Sequence, residues 1–113
     1  MKAAPIDYIE FKSTDLEKTK VFYNEAFGWT FTDYGPTYAS FSESGVAGGF
    51  ELTQAPIVNG TLIVLYYENL VEIREKVKSA GGTITKEIFE FPGGKRFHFT
   101  DPSGNELAVW SEK

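Results

Sequence analysis

The order of apolar and polar positions repeats along this chain. In residues 11–31 and again in residues 65–85, an alternating stretch typical of a strand leads into apolar residues at helical spacing. Gly28 corresponds to Gly82, an offset of 82 − 28 = 54 residues. A repeat of this kind predicts two half-domains that share one fold, with a site between them.

The first copy predicts one strand, one capped helix and three more strands. Residues 6–12 alternate between apolar and polar side chains, as in a half-buried strand. Residues 14–17, Thr-Asp-Leu-Glu, match a capping box at a helix start, and Gly28 is a typical helix end. The face of the first strand that points away from Ile9 and Phe11 carries Tyr8, Glu10 and Lys12. Three strands are predicted to follow, at residues 29–33, 37–41 and 47–53.

The second copy predicts the same order of elements. A strand at residues 61–67 leads to a helix capped by Asn69 and closed by Gly81 and Gly82. Residues 101–104, Asp-Pro-Ser-Gly, suit a type I turn between the last two strands. The last three strands are predicted at residues 83–90, 95–100 and 106–110. The chain is thus one domain of two βαβββ modules, at about residues 5–54 and 60–113.

Composition excludes several classes of function. A chain of 113 residues with 42% hydrophobic and 24% charged residues is typical of one globular domain. Its net charge of −5 argues against nucleic acid as a partner, and the absence of cysteine excludes disulfides and thiolate chemistry. No apolar run is long enough to span a bilayer, and the chain start lacks the apolar core of a signal peptide. These features predict a cytoplasmic protein that contacts no membrane.

The repeat and two groups of short motifs resemble the vicinal oxygen chelate superfamily, which includes glyoxalase I, bleomycin resistance proteins and extradiol dioxygenases. The first group is Asp15-Leu16, Phe22-Tyr23 and Phe27-Gly28, and the second is Ala80-Gly81-Gly82 and Asp101-Pro102-Ser103-Gly104-Asn105. The resemblance covers essentially the whole chain. It implies an α+β fold in which the modules form a curved, mixed eight-stranded sheet with a concave ligand cleft. It also implies a homodimer, but one fold hosts many activities.

The resemblance further implies metal ligands, usually His and Glu, on the inward faces of the first and last strand of each module. The corresponding positions here are Tyr8, Leu62, Glu51 and Ala108. Only Glu51 is a usual ligand, and one carboxylate with a phenol does not make a divalent site. The sequence therefore predicts no metal cofactor. A register shift of two residues would place Glu10 or Glu106 on the same faces.

Carboxylates and aromatic side chains on shared strand faces predict a ligand groove. Its candidate members are Tyr8, Glu10, Glu51, Tyr66, Glu106 and Trp110. Aromatic faces beside carboxylates suit a cationic or flat ligand, with cation–π contacts of about 0.5–2 kcal/mol each. The alternative is that the carboxylates are solvated and the aromatics simply cover the sheet. For Glu51 both interpretations stay open, whereas for Glu10 and Glu106 we favour solvation.

His98 is the only histidine, and alternation places it on one strand face with Arg96 and Thr100. Its titration near neutral pH suits an acid, a base or a hydrogen-bond donor to a ligand. No carboxylate lies beside it in sequence to orient the ring, which favours a partly exposed strand residue instead. Arg96 and its neighbour Lys95 could hold an anion, but we interpret them as a solvated hairpin pair. Trp29 is interpreted as a packing anchor.

Three functions remain as hypotheses. The first is a metal-independent binding protein that holds a small aromatic or cationic molecule in the cleft. The second is a divergent enzyme of the superfamily, a lyase, isomerase or dioxygenase-like protein that uses Glu51 as base or ligand. The third is a non-catalytic assembly module whose cleft is completed by a second copy.

Overall fold

The computed structural model describes residues 3–113 and confirms the repeated βαβββ order. The first module contains β1 (Tyr8–Ser13), α1 (Leu16–Phe27), β2 (Thr30–Asp33), β3 (Tyr38–Ser42) and β4 (Ala47–Leu52). The second contains β5 (Ile63–Tyr66), α2 (Leu70–Ser79), β6 (Thr83–Phe91), β7 (Gly94–Thr100) and β8 (Glu106–Ser111). The prediction of a cytoplasmic location rests partly on Met1 and Lys2, which lie outside the described residues.

Each module forms its own four-stranded mixed sheet, which confirms the predicted α+β class. The strand orders are β1-β4-β3-β2 and β5-β8-β7-β6. In both sheets the first strand of the module pairs in parallel with the last, and the other pairs are antiparallel. Strand β1 is the edge of one sheet and β5 the edge of the other, so each module leaves its first strand open on one side.

The start of α1 differs from the predicted capping box. Asp15 is the N-cap, and its side chain accepts a hydrogen bond from the backbone N–H of Lys18 at 3.1 Å. The backbone N–H and hydroxyl of Thr14 instead lie 3.0 and 3.2 Å from the hydroxyl oxygen of Ser103 in the second module. The prediction of Thr14 as cap was wrong because a residue far along the chain provides its partner. Gly28 ends the helix at φ +76°, as predicted.

The core lies between the helices and the two sheets and contains aromatic side chains from both modules. Phe22 on α1 contacts Phe99 on β7, with ring centroids 6.0 Å apart. Tyr23 stacks on Trp29 at 4.7 Å, and Trp29 is only 5% exposed, which confirms its prediction as a packing anchor. Much of the chain's high aromatic content is thereby buried.

The sheet faces that point away from the helices carry most of the predicted site residues. Along β1, Ile9 and Phe11 are half-buried and Phe11 packs on the core, whereas the residues between them are exposed. The exposed face of β1 carries Tyr8, Glu10 and Lys12. The predicted alternation of this strand is therefore confirmed, and it fixes which side chains are available to a ligand.

Candidate functional site

A cavity of about 600 Å³ lies along β1, beneath the segment that joins the modules. Of the predicted site residues, Tyr8 and Glu10 line it, together with Glu106 at the start of β8. Glu51, Tyr66, His98 and Trp110 are not among its lining residues. The apolar wall includes Ile9, Phe11, Ile57, Val58 and Ile63.

Lys12 connects two of the predicted carboxylates. Its ammonium donates to Glu51 on β4 and lies 3.8 Å from Oε2 of Glu10. The hydrogen bond to Glu51 is the main reason that the pKa of Lys12 is raised above its usual value. All three side chains are about half exposed, so solvent screens these attractions. The predicted groove is therefore not purely acidic on the first module.

Two phenols lie beside this ion pair. The hydroxyls of Tyr8 on β1 and Tyr38 on β3 form a hydrogen bond across the intervening β4. This is possible because Gly49 has no side chain: a Cβ there would lie 2.5 Å from the Tyr38 hydroxyl. Burial, followed by hydrogen bonds with Tyr8 and Glu10, raises the pKa of Tyr38 well above its usual value. Tyr38 thus belongs to the site, although sequence reasoning did not select it.

His98 is held by a carboxylate from the neighbouring strand. Its Nδ1 lies 3.1 Å from Oε2 of Glu106, which also accepts from the Thr85 hydroxyl at 3.4 Å. The interpretation of His98 as a partly exposed residue was wrong, since it is only 8% exposed. Its Nε2 is buried without a hydrogen-bond partner among residues 3–113. The contact with Glu106 is assigned as a hydrogen bond donated by Nδ1, because a carboxylate oxygen accepts hydrogen bonds.

A row of aromatic residues and one arginine crosses the second sheet. Register places Tyr66, Trp110, Arg96 and Phe89 opposite one another on β5, β8, β7 and β6. The rings of Tyr66 and Trp110 meet edge to face at 5.4 Å. The Arg96 guanidinium carbon lies 5.4 Å from the ring centroid of Phe89 and 5.6 Å from that of Phe91. Arg96 is therefore packed within the sheet face, and its interpretation as a solvated hairpin residue was wrong.

The structure thus brings the predicted site residues together in two groups rather than one. Tyr8, Glu10 and Glu51 lie close together on the first sheet, with Lys12 and Tyr38 as the members that sequence reasoning missed. The other predicted residues, Tyr66, His98 and Trp110, lie on the second sheet. Lys12 could have been found from the alternation of β1, because it shares a face with Tyr8 and Glu10.

The positions that correspond to metal ligands do not offer a fitting donor set. Ala108 is fully buried, and Glu51 is engaged by Lys12. Tyr8 donates to or accepts from Tyr38, and Leu62 has no donor atom at all. Within residues 3–113, no three His, Cys, Asp or Glu side chains are placed so that they could hold a metal ion together. A divalent metal needs more N or O donors than this site presents.

Comparison with known protein families identifies the chain. A model of the Glyoxalase/Bleomycin resistance protein/Dioxygenase superfamily matches residues 5–109. The chain belongs to this superfamily. A comparison with curated proteins finds no match for this superfamily member. No helix within the described part of the chain is long and apolar enough to cross a membrane.

Several solved structures share this fold. A glyoxalase-related enzyme from Fulvimarina pelagi superposes with a TM-score of 0.82 at 20% identity, covering 96% of this chain and 88% of that one. A family enzyme from Burkholderia phytofirmans PsJN gives a TM-score of 0.84 at 15% identity, covering 97% and 100%. TioX from Micromonospora sp. ML1 gives 0.75 at 15% identity, also covering 97% and 100%. At these identities the similarity establishes the fold and no particular activity.

Proposed function

We propose that this protein binds a small molecule with an apolar or aromatic body and a cationic group, without a metal, in the cavity along β1. The observation that carries the proposal is the charge of the cavity wall. Of the side chains in residues 3–113, the wall contains the two carboxylates of Glu10 and Glu106 and one ammonium, that of Lys12. That ammonium is also bound by Glu51, which lies outside the wall, so the site has a net negative charge.

The cavity wall combines this charge with apolar surface. Ile57, Val58 and Ile63 provide contact area for a hydrocarbon or aromatic body, and the volume of about 600 Å³ suits a small organic ligand. The Tyr8 ring adds a face on which a flat or cationic group can rest. A partly enclosed apolar setting also strengthens the attraction between a carboxylate and a cation.

The enzyme hypothesis with Glu51 as base has less support. The Lys12 ammonium contacts Oε1 of Glu51, so a substrate proton would have to displace this lysine. Glu51 also does not line the cavity, whose apolar surface would hold a substrate. We therefore favour the binding hypothesis over the enzyme hypothesis, and Glu51 remains a candidate contact of the ligand. A homodimer and a cytoplasmic location stay predictions.

Isothermal titration calorimetry with benzylamine, which is cationic at neutral pH, tests the proposal against its neutral counterpart benzyl alcohol. We expect benzylamine to bind more tightly. Glu10→Gln and Glu106→Gln should each weaken benzylamine binding about three- to tenfold, the magnitude of one partly screened charge contact. Equal affinities for the two probes, or unchanged affinity in both variants, would contradict the proposal.

Two controls separate this effect from general charge and from metal binding. Glu90→Gln removes an exposed carboxylate of β6 that does not line the cavity, and it should leave benzylamine affinity unchanged. Treatment with EDTA should also leave the affinity unchanged. Loss of benzylamine binding after EDTA, restored by added Zn²⁺ or Ni²⁺, would refute metal independence.

A further inference from the structure

We propose that Arg96, with Phe89, Phe91 and Trp110, forms a second binding site that takes an aromatic carboxylate. This site goes beyond the proposed function, because none of its four residues lines the cavity along β1. It lies instead on the second sheet, in the row of paired residues that crosses β5, β8, β7 and β6, and its four side chains are half-buried.

The guanidinium of Arg96 is packed between two aromatic rings and has no acidic partner within residues 3–113. The rings of Phe89 and Phe91 flank it at 5.4 and 5.6 Å, both within the range of a cation–π contact. Arg74, the only other arginine of the chain, has its guanidinium bound to Glu75 and Glu87. No carboxylate of residues 3–113 is within ion-pair distance of Arg96. A guanidinium that is packed in this way and has no acidic partner is available to bind an external anion.

Arg96 also carries an unsatisfied hydrogen-bond donor. Nε of Arg96 is buried and has no acceptor within the described residues. Buried donors of charged groups are nearly always paired, because leaving one unpaired is costly. A planar carboxylate matches the fork geometry of a guanidinium, so one ligand group that pairs with the terminal nitrogens of Arg96 can compensate the charge that has no partner here.

Aromatic rings beside the guanidinium can hold the rest of the ligand. Trp110 lies opposite Arg96 in register, and its ring centroid is 6.3 Å from that of Phe91. These rings give an aromatic surface next to the guanidinium, on which a flat ring joined to the carboxylate can pack. The ammonium of Lys86 lies 4.9 Å from the centroid of Phe89 and adds a second positive charge.

The charges near this row do not oppose an anion. Glu112 is the acidic residue in contact with the row, and its carboxylate accepts the Tyr66 hydroxyl at 2.6 and 2.8 Å. This contact is at the β5 end of the row, whereas Arg96 lies two strands away on β7. The positive groups therefore concentrate at the β6–β7 end, and the ligand is expected there.

Proton–nitrogen NMR of the arginine side chains tests the site directly. The Nε–H signals of Arg96 and Arg74 are observed while the protein is titrated with benzoate, with acetate and with benzamide. We expect benzoate to shift the Arg96 signal saturably and to leave the Arg74 signal unchanged. Acetate lacks the ring and benzamide lacks the charge, so each should require at least about tenfold more ligand for the same shift.

Three results would overturn the proposal. The first is an Arg96 signal that does not respond to benzoate. The second is an equal response of Arg74 and Arg96, which would indicate a general ionic effect. The third is acetate acting as strongly as benzoate, which would remove the aromatic part of the site.

Variants complete the test and separate it from the cavity. Arg96→Lys keeps the charge but loses the planar fork, so benzoate affinity should fall about tenfold, while Arg74→Lys should leave it unchanged. The Trp110 indole N–H signal reports benzoate binding in both variants and in the native chain. Benzylamine binding to Arg96→Lys should equal that of the native protein, which shows that the variant folds. If benzoate binds and benzylamine does not, only the proposal for the cavity along β1 is refuted. If benzylamine binds and benzoate does not, only the proposal for the Arg96 site is refuted.

Discussion

The phenolic O–H of Tyr23 donates to Oδ2 of Asp101 at 2.9 Å, and this bond joins α1 of the first module to the β7–β8 turn of the second. Both residues are buried, at 0% and 4% exposure. The other oxygen of Asp101 accepts three backbone N–H groups of the same turn, each at 2.9 Å, from Ser103, Gly104 and Asn105. Asn105 in turn donates to the carbonyl of Lys12 at 2.7 Å. The turn therefore fixes β1, which supplies five of the residues that line the cavity, relative to the second module.

Removing the Tyr23 hydroxyl should destabilise the protein without a change in size at the core. Tyr23→Phe leaves the buried oxygen of Asp101 with one fewer donor, which costs about 1–3 kcal/mol of the free energy of unfolding. Urea denaturation followed by circular dichroism measures this loss. Tyr34→Phe, at a tyrosine that is 64% exposed, is the matched control and should change stability by less than about 0.5 kcal/mol. Equal stability of the two variants would show that the Tyr23–Asp101 bond contributes nothing.

Gly48 should not tolerate alanine, because β1 and β3 approach β4 too closely there. A Cβ at Gly48 would lie 2.2 Å from the carbonyl oxygen of Ile9 and 2.3 Å from the ring of Phe41. Both neighbours would have to move, and overpacking of this kind costs about 1–3 kcal/mol or more. We expect Gly48→Ala to lower the urea midpoint accordingly. Gly60→Ala, where a Cβ meets nothing within 4 Å, should be neutral. A native midpoint for Gly48→Ala would mean that these strands can separate freely.

Glu87 should titrate at lower pH than an ordinary glutamate. Arg74 binds it with both Nε and Nη2 at 2.8 Å, and these hydrogen bonds are the largest cause that lowers the pKa of the Glu87 carboxyl. Because the pKa is lower in the folded state, the interaction stabilises the protein at pH values above the unfolded-state pKa of Glu87. The stabilisation is then lost as the pH falls through the folded-state pKa. Carboxyl carbon NMR of Glu87 measures the midpoint.

The matched variants for this titration are Arg74→Gln and Lys95→Gln. Arg74→Gln removes the bidentate partner, so the Glu87 midpoint should rise towards the usual value for glutamate. Lys95→Gln removes a cation of the neighbouring strand that does not contact Glu87, and the midpoint should stay where it is in the native chain. An unchanged midpoint in Arg74→Gln would show that Arg74 is not the cause.

Local signals in the sequence were sufficient for the elements and their order. Asn69 and Gly28 mark a helix start and a helix end through hydrogen bonds and backbone angles that involve only near neighbours. Alternation in β1 was sufficient to place Tyr8 and Glu10 on one face. Thr14 failed as a cap because its partner, Ser103, comes from the other module, and no local pattern contains that contact.

The site was less predictable because its interactions cross strands. The pairing of β7 with β8 places Thr100 opposite Glu106 and His98 opposite Ala108. This register brings the Glu106 carboxylate within hydrogen-bond distance of His98. Thr85 joins them through an irregularity in β6, between residues 84 and 86, that alternation does not reveal. Such partners follow from register, and register depends on the whole sheet rather than on a short stretch of sequence.

Replacing Lys12 should tighten binding of a cation in the cavity. Among residues 3–113, Lys12 is the only cationic side chain of the wall, and it is bound to Glu51 and lies near Glu10. Lys12→Met keeps a long apolar stem but removes the ammonium, so both carboxylates become available to the ligand. We expect the affinity for benzylamine, measured by calorimetry, to rise about three- to tenfold, and the affinity for benzyl alcohol to stay constant.

The control for this substitution is Lys18→Met, which removes an exposed ammonium of α1 and the same net charge from a residue outside the cavity. It should leave both affinities unchanged, because a distant exposed charge is screened by solvent and salt. Equal gains in the two variants would attribute the effect to net charge alone. A weaker benzylamine affinity in Lys12→Met would mean that Lys12 holds Glu10 in the orientation that a cation requires, so that the ion pair helps the site rather than competing with its ligand.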